Sequence, residues 1–290
     1  MVRARTTAAL IAALLTVAAT ASWLLAAPRA SVAALAAAYV ADYQRQLTSI
    51  VADELYVQEI RAQTPADAGA PRTRTLRGEV FFIFAAAERE WMAIRDVREV
   101  DGQLLAGAGG VRETLRALPA GRVAERMKSH NAKFNLGRIT RNINEPTLAL
   151  LVLDESHRSR FKFKAGKPRE GESRQLTPLA FQERERPTLI RSHTGAPIFV
   201  SGELHVEPDT GRIWRSRLRA TVEGIRVELT TEYTFDARLD LLLPSVFEEE
   251  YERGRPAANP RAAHAGDHEL IVAEARYSNF RRFEVSSRIR

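Results

Sequence analysis

The chain has 290 residues, of which 45% are hydrophobic, and this suffices for one large domain or two small ones. It contains no cysteine, which excludes disulfides, thiolate metal sites, a cysteine nucleophile and a lipid-modified cysteine. The net charge of +7 is carried mainly by arginine. Because most arginines alternate with glutamates and do not cluster on one element, we expect no nucleic acid as a partner.

The first 27 residues have the form of an export signal. A short basic start precedes an apolar stretch, and the small residues at 19–21 fit the site that a signal peptidase cleaves. The apolar stretch continues to residue 27, so the alternative is an uncleaved signal anchor that contacts the membrane through residues 8–27. Both alternatives predict an exported protein, in the periplasm or on the extracytoplasmic face of the inner membrane.

Residues 28–290 are predicted to form a single domain that begins with a helix. Apolar side chains recur at three- and four-residue steps over residues 31–46, and Ser31 is placed to cap this helix. Its apolar stripe is narrow and rich in alanine, which favours a helix that lies across a sheet.

Strand patterns fill most of the remaining chain. The first has a change of phase near Asp53 that predicts a bulge. In the second, the unbroken apolar run at residues 80–84 indicates that both faces are covered. The third ends at Asp101-Gly102, a hairpin signal, so residues 76–105 are predicted to form a meander. The strand patterns lie at residues 49–61, 74–84, 90–100, 160–164, 176–186, 188–191, 199–206, 212–222, 225–235, 239–251 and 269–285.

A helical insertion, at about residues 107–154, separates two β regions. Helical spacing is found at 111–118 and 122–134. The apolar run 148–153 follows Asn144 as a possible N-cap and Pro146 in the first turn, which predicts a helix. Without that start, the same run would predict a buried strand.

The hairpin at residues 212–235 has the clearest period of two, which is typical of a sheet with one buried face. If Glu223-Gly224 is a two-residue turn, Val222 faces Ile225 and the register follows. The other pairs that this register predicts are Trp214–Tyr233 and Leu218–Leu229 on the inner face, and Arg215–Glu232 and Arg219–Glu228 on the outer face.

Sequence signatures of catalysis are missing: there is no phosphate loop, no nucleophile elbow and no His-Glu-x-x-His helix. His205 lies between Glu203 and Glu207 on one strand face, but we interpret this face as solvated and not as a metal site. The run 248–250 of three glutamates is likewise interpreted as a solvated strand end. We therefore predict no catalytic residue, no metal site and no cofactor, and we expect a non-enzymatic protein.

The remaining functional candidates are large apolar side chains on the inner face of the predicted sheet. Two interpretations stay open: they form ordinary core under the helices, or they line an apolar cavity with the insertion as its lid. The candidate ligand-binding residues are Phe82, Trp214, Leu218, Leu229, Tyr233 and Phe235.

The order of elements resembles the periplasmic lipoprotein-carrier fold, which serves outer-membrane lipoprotein sorting. Three stretches are also similar to segments of a group of exported bacterial proteins; they are DTGRIW at 209–214, SVFEEEY at 245–251 and YSNFRRF at 277–283. The resemblance implies an α+β fold, in which a curved antiparallel sheet forms an incomplete β-barrel. The N-terminal helix and the helical insertion would lie on its concave side. No functional residue of the family is carried over.

The leading functional hypothesis is an exported envelope protein that binds a lipid or acyl chain in a cavity between sheet and helices. The alternative is a membrane-tethered structural protein with a filled core that binds an envelope protein partner. An uncharacterised hydrolase is the third hypothesis.

Overall fold

The computed structural model describes residues 30–47, 50–62, 72–85, 90–107, 109–139, 141, 143–170, 174–192, 194–254 and 268–283. The predicted export signal and its membrane-contacting segment 8–27 lie outside these residues. By its contacts the chain divides after Ala30, and the elements below belong to the unit that begins at Ser31. In the described part of that unit, no helix has the length and apolarity that a membrane crossing needs.

One antiparallel sheet of twelve strands dominates the described residues. The strands are β1 (Ile50–Ala62), β2 (Thr73–Ala85), β3 (Glu90–Val100), β4 (Gln103–Leu104), β5 (Phe161–Ala165), β6 (Arg169–Glu170), β7 (Gln175–Glu183), β8 (Ile190–Arg191), β9 (Pro197–Ile198), β10 (Ser201–Val206), β11 (Ile213–Val222), β12 (Ile225–Asp236), β13 (Leu241–Arg253) and β14 (Glu269–Arg282). Their order is β4-β3-β2-β1-β14-β13-β12-β11-β10-β7-β5, with β6 beside β7, while β8 and β9 pair separately. The edge strands β4 and β5 do not pair with each other, so the sheet is not closed, as predicted for an incomplete barrel.

The helices are α1 (Val32–Gln46), α2 (Val111–Ala117), α3 (Ala120–Asn131) and α4 (Glu155–Arg158), with 3₁₀ helices at Ala132–Phe134 and Leu148–Leu153. The predicted cap of α1 is confirmed, because the Ser31 side chain accepts a hydrogen bond of 3.2 Å from the Ala34 nitrogen. The predicted start of a helix at Asn144 is wrong: the 3₁₀ helix begins at Leu148, after Thr147.

Apolar clusters lie on both faces of the sheet. The larger one, on the inner face, joins α1 and the 3₁₀ helix at 148–153 to side chains such as Phe82. The smaller one, on the outer face, joins Phe81 and Ile94 to α2 and α3. The insertion therefore passes around the sheet edge at β3 and covers both faces, which confirms the cover predicted for residues 80–84. The prediction that the insertion lies on the concave side is wrong for α2 and α3, which pack on the outer face.

The predicted hairpin register is confirmed between Arg215–Glu232 and Val222–Ile225. The predicted Trp214–Tyr233 pair lies outside this ladder. The pairing of β11 with β10 shifts register at Trp214, which has no partner residue on β10. The pairing of β12 with β13 shifts register directly after Glu232. Bulges of this kind re-aim side chains, which is why simple alternation does not extend to Trp214.

The turn between β10 and β11 lies directly against α1. Gly211 has a φ of +75°, and a Cβ atom there would lie 2.8 Å from the Ala36 nitrogen and closer still to the Leu35 carbonyl. Only glycine combines this conformation with so close an approach of two backbones. Gly224, in the next turn, has a φ of +81° but no atom within 4 Å of the corresponding position.

Gly211→Ala is expected to lower the free energy of unfolding by about 3 kcal/mol or more, since α1 must shift in addition to the strain of positive φ. The matched variant Gly224→Ala has only the strain of positive φ, so its free energy of unfolding should fall by about 1 kcal/mol. Urea denaturation of both variants measures the difference. Equal losses would show that α1 is not held at this turn.

Candidate functional site

The predicted ligand-binding residues occupy three environments. Trp214 is half-buried at the edge of the inner cluster, and the guanidinium carbon of Arg174 lies 3.2 Å from its ring centroid. Phe235 is 38% exposed, with Arg212 above its ring. The other four are buried in the inner cluster; they are Phe82, Leu218, Leu229 and Tyr233. Their role in ligand binding stays a prediction.

The space over the inner face is occupied by the chain itself. The Tyr43 ring of α1 lies 5.7 Å from Trp91 and 6.5 Å from Tyr233, measured between centroids. Residues 148–153, which we call the plug, form a 3₁₀ helix whose side chains are all buried from Ala149 onward. The inner face is therefore covered by α1 and the plug.

Side-chain hydrogen bonds hold the plug at both ends. Before it, the Pro146 carbonyl oxygen accepts from the hydroxyl groups of Thr231 and Tyr233, the latter at 3.2 Å. After it, the Gln44 amide donates a 2.8 Å bond to Asp154. The plug is thus fastened to β12 on one side and to α1 on the other.

A buried polar network lies on the same inner face. The Arg95 Nε atom donates to both Glu54 oxygens, at 2.9 and 3.0 Å. Glu249 accepts a hydrogen bond of 2.9 Å from the Tyr56 hydroxyl and one of 2.7 Å from the Tyr251 hydroxyl. Both glutamates and Arg95 are less than a tenth exposed. Five side chains from three strands thus form a charged centre under the insertion.

Arg141 extends this network from the insertion. Its Nη1 atom donates a 3.3 Å bond to the Tyr56 hydroxyl, and Nη2 donates to the side-chain amide oxygen Oε1 of Gln58. Gln58 in turn accepts from the Leu136 nitrogen at 2.9 Å. Tyr56 therefore joins Glu249 to Arg141, since its hydroxyl donates to one and accepts from the other.

The insertion also caps the exposed edge of β3. The Ala93 nitrogen donates to the Glu145 carboxylate, and the Asn131 amide donates a 2.9 Å bond to the Arg95 carbonyl. The Lys128 ammonium lies 3.7 Å from Glu145. Side chains thus take the place of a neighbouring strand here.

Burial controls the protonation of this centre. It raises the pKa of Glu54 from its ordinary value, although Arg95 opposes the shift. Burial also raises the pKa of Glu145, against the opposing charge of Lys128. For Arg95, burial acts to lower the pKa, but the Glu54 carboxylate raises it, so the guanidinium stays charged.

The interpretation of residues 248–250 as a solvated run is wrong for Glu249, which is 2% exposed. The signal was present in the alternation of β13, which places Glu249 on the same face as the buried Phe247 and Tyr251. Ala273 and Ala275 of β14 lie between this strand and β1. Their small side chains leave room for Tyr56 and Glu249 to meet across the intervening strand.

No protein-family model and no curated protein matches this chain. Solved structures of lipoprotein-sorting proteins are similar to it. A LolA superfamily protein from Nitrosomonas europaea has 12% sequence identity and a TM-score of 0.36, with 88% of this chain and 96% of that chain covered. An outer membrane lipoprotein-sorting protein domain from Vibrio parahaemolyticus has 8% identity and a TM-score of 0.37, with 87% and 93% covered.

Glu203 and His205 form a pair on the surface, with 2.8 Å between Oε1 and Nε2. Glu207 accepts from Thr210. Among the residues that the structure describes, no three possible metal ligands come together.

Glu249→Gln is expected to lower the free energy of unfolding by about 3 kcal/mol, because the buried Tyr56 and Tyr251 hydroxyl groups would lose a charged acceptor. Glu248→Gln, one residue earlier on the exposed face, should change it by less than about 0.5 kcal/mol. Urea denaturation measures both. If both variants changed the free energy of unfolding by a similar small amount, the stabilising role of Glu249 in the charged centre would be contradicted.

The Glu145 carboxylate should make stability fall as pH rises. Its pKa is raised in the folded state from the ordinary value of 4.5, so the folded chain holds this proton more tightly than the unfolded chain. The resulting stabilisation is complete below pH 4.5 and is lost as pH rises through the folded-state pKa. Relative to wild type, Glu145→Gln should therefore gain stability from pH 4.5 upward, measured by urea midpoints across pH; a difference independent of pH would contradict this.

Proposed function

We propose that the protein is a non-enzymatic, extracytoplasmic protein that binds an apolar ligand, a lipid or acyl chain, on the inner face of its sheet. The plug carries the proposal. It is an apolar segment that covers the inner face without being part of the sheet, and side-chain hydrogen bonds hold its two ends. A ligand that displaces the plug takes its place against Leu218, Leu229 and the other predicted residues.

The exchange of plug for ligand is favourable for two reasons. An acyl chain buries apolar surface as the plug does, so the hydrophobic contribution of the inner face is retained. In addition, a 3₁₀ helix has poorer hydrogen-bond geometry than an α-helix, and a run of six residues is long for this conformation.

The extracytoplasmic location rests on the form of residues 1–27, which is that of an export signal. An uncleaved segment 8–27 would hold the binding domain at the membrane, which is a source of lipid ligands.

A second candidate is a structural envelope protein that binds a protein partner. It is favoured by the filled interior, in which the inner face is already covered.

Gln44→Ala tests the displacement of the plug. The variant loses a hydrogen bond worth about 1 kcal/mol, which should raise the open population, and with it the affinity for decanol, about fivefold. Gln46→Ala, an exposed position of the same helix, should leave the affinity unchanged. Tryptophan fluorescence reports binding, because Trp91 packs on Tyr43 under α1.

Native mass spectrometry of the purified full chain gives the independent measurement. Co-purifying lipid is expected. If the chain carries no lipid and Gln44→Ala binds decanol no better than wild type, the filled-core candidate replaces the proposal.

A further inference from the structure

Arg141 is a buried cation that pairs with no carboxylate in the part of the chain that the structure describes. It is 6% exposed, and among the described residues it makes no ion pair. Its two terminal nitrogens donate to neutral acceptors, the Tyr56 hydroxyl and the Gln58 amide oxygen, while Nε has no acceptor. Burying a charge in this way is costly unless an anion compensates it.

The Arg141 side chain lines a cavity of about 50 Å³ between β3, α3 and the end of the insertion. Arg95 and Lys128 line it as well, and Glu145 is the only carboxylate among the lining residues that the structure describes. Arg95, 8% exposed, also has a buried guanidinium nitrogen, Nη2, without an acceptor. Asparagine side chains complete the polar lining; they are Asn131, Asn135 and Asn144.

This cavity adjoins the apolar interior. Four of its lining residues belong to the inner apolar cluster; they are Tyr56, Leu76, Ala93 and Val97. Its volume is several times what one water molecule needs, so it has room for an ionic group of a few heavy atoms but not for an acyl chain. A molecule with an ionic end and an apolar end would therefore place the ionic end here.

We propose that this cavity binds an anionic group, a phosphate or a carboxylate, at the end of an amphiphile whose chain lies on the inner face. The position of the chain rests on the proposed function, whereas the anion site rests on the cavity alone. The guanidinium groups of Arg141 and Arg95, which line the cavity, donate to the anion. Lys128, which is half-exposed, contributes charge from the rim.

The surrounding carboxylates have separate tasks in this arrangement. Glu54 holds Arg95 through Nε. Glu249 acts through the Tyr56 hydroxyl, which keeps one side of Arg141 in place. Glu145 is bonded to the Ala93 nitrogen at the strand edge.

Three compounds with the same chain test the proposal: decanoate, decyl phosphate and decanol. For the full chain, calorimetric titration should show about tenfold tighter binding of the two anions than of decanol. Arg141→Gln should abolish this preference. Lys128→Gln should reduce the preference about threefold, and Arg122→Gln, on the exposed side of the same helix, should keep it.

Inorganic phosphate separates the anion site from the chain site. It should raise the melting temperature relative to chloride at equal ionic strength, and this rise should be absent in Arg141→Gln. Equal binding of all three decyl compounds would overturn the anion site and leave the proposed function standing. A rise in melting temperature with phosphate, without binding of any decyl compound, would overturn the proposed function and leave the anion site standing. If Arg141→Gln does not fold, an unchanged preference in Lys128→Gln overturns the proposal.

Discussion

The pairing of β1 with β14 is the constraint on which the rest of the structure depends. It brings the beginning and the end of the described domain together in the middle of the sheet, and it joins the meander β1–β4 to the remaining strands. It also places Glu54 and Tyr56 one strand away from Glu249. A contact between residues so far apart in the sequence forms only after a large loop is closed, so we expect folding to be slow for a chain of this size.

The interior that results has two chemically different parts. One is apolar and is completed by α1 and the plug. The other contains charges from β1, β3, β13 and the insertion, fixed by tyrosine hydroxyl groups. A fold selected for stability alone gains little from buried charges, because apolar residues of similar volume do as well or better. The anion site that we propose would give the charged part a role in ligand binding.

Much of the fold was predictable, because each strand carries its own pattern. The α1 helix, its Ser31 cap, the Asp101-Gly102 turn and the register at Glu223-Gly224 all follow from local signals. Trp214 was misplaced because a bulge depends on the partner strand, which local alternation does not describe. The helix type of residues 148–153 was likewise decided by packing against α1 and the sheet.

The candidate site was predicted only in its apolar half. The alternation with polar residues predicts a buried face for Leu218, Leu229 and Tyr233. The charged half depends on contacts between distant strands, such as that of Tyr56 with Glu249. The contact is possible because the small residues Ala273 and Ala275 lie between those strands. No local sequence pattern reveals this arrangement. Arg141 stands in a segment without a period, so its burial had no signal in the sequence.

The side-chain caps on the edge of β3 limit how the interior can open. If the whole insertion lifted, Glu145 and Asn131 would leave the strand and expose its unpaired backbone groups. Bare strand edges of this kind recruit strands from other molecules, so such an opening would lead to aggregation. The opening that we propose would therefore be confined to the residues after Glu145, while the segment before it continues to cover the edge of β3.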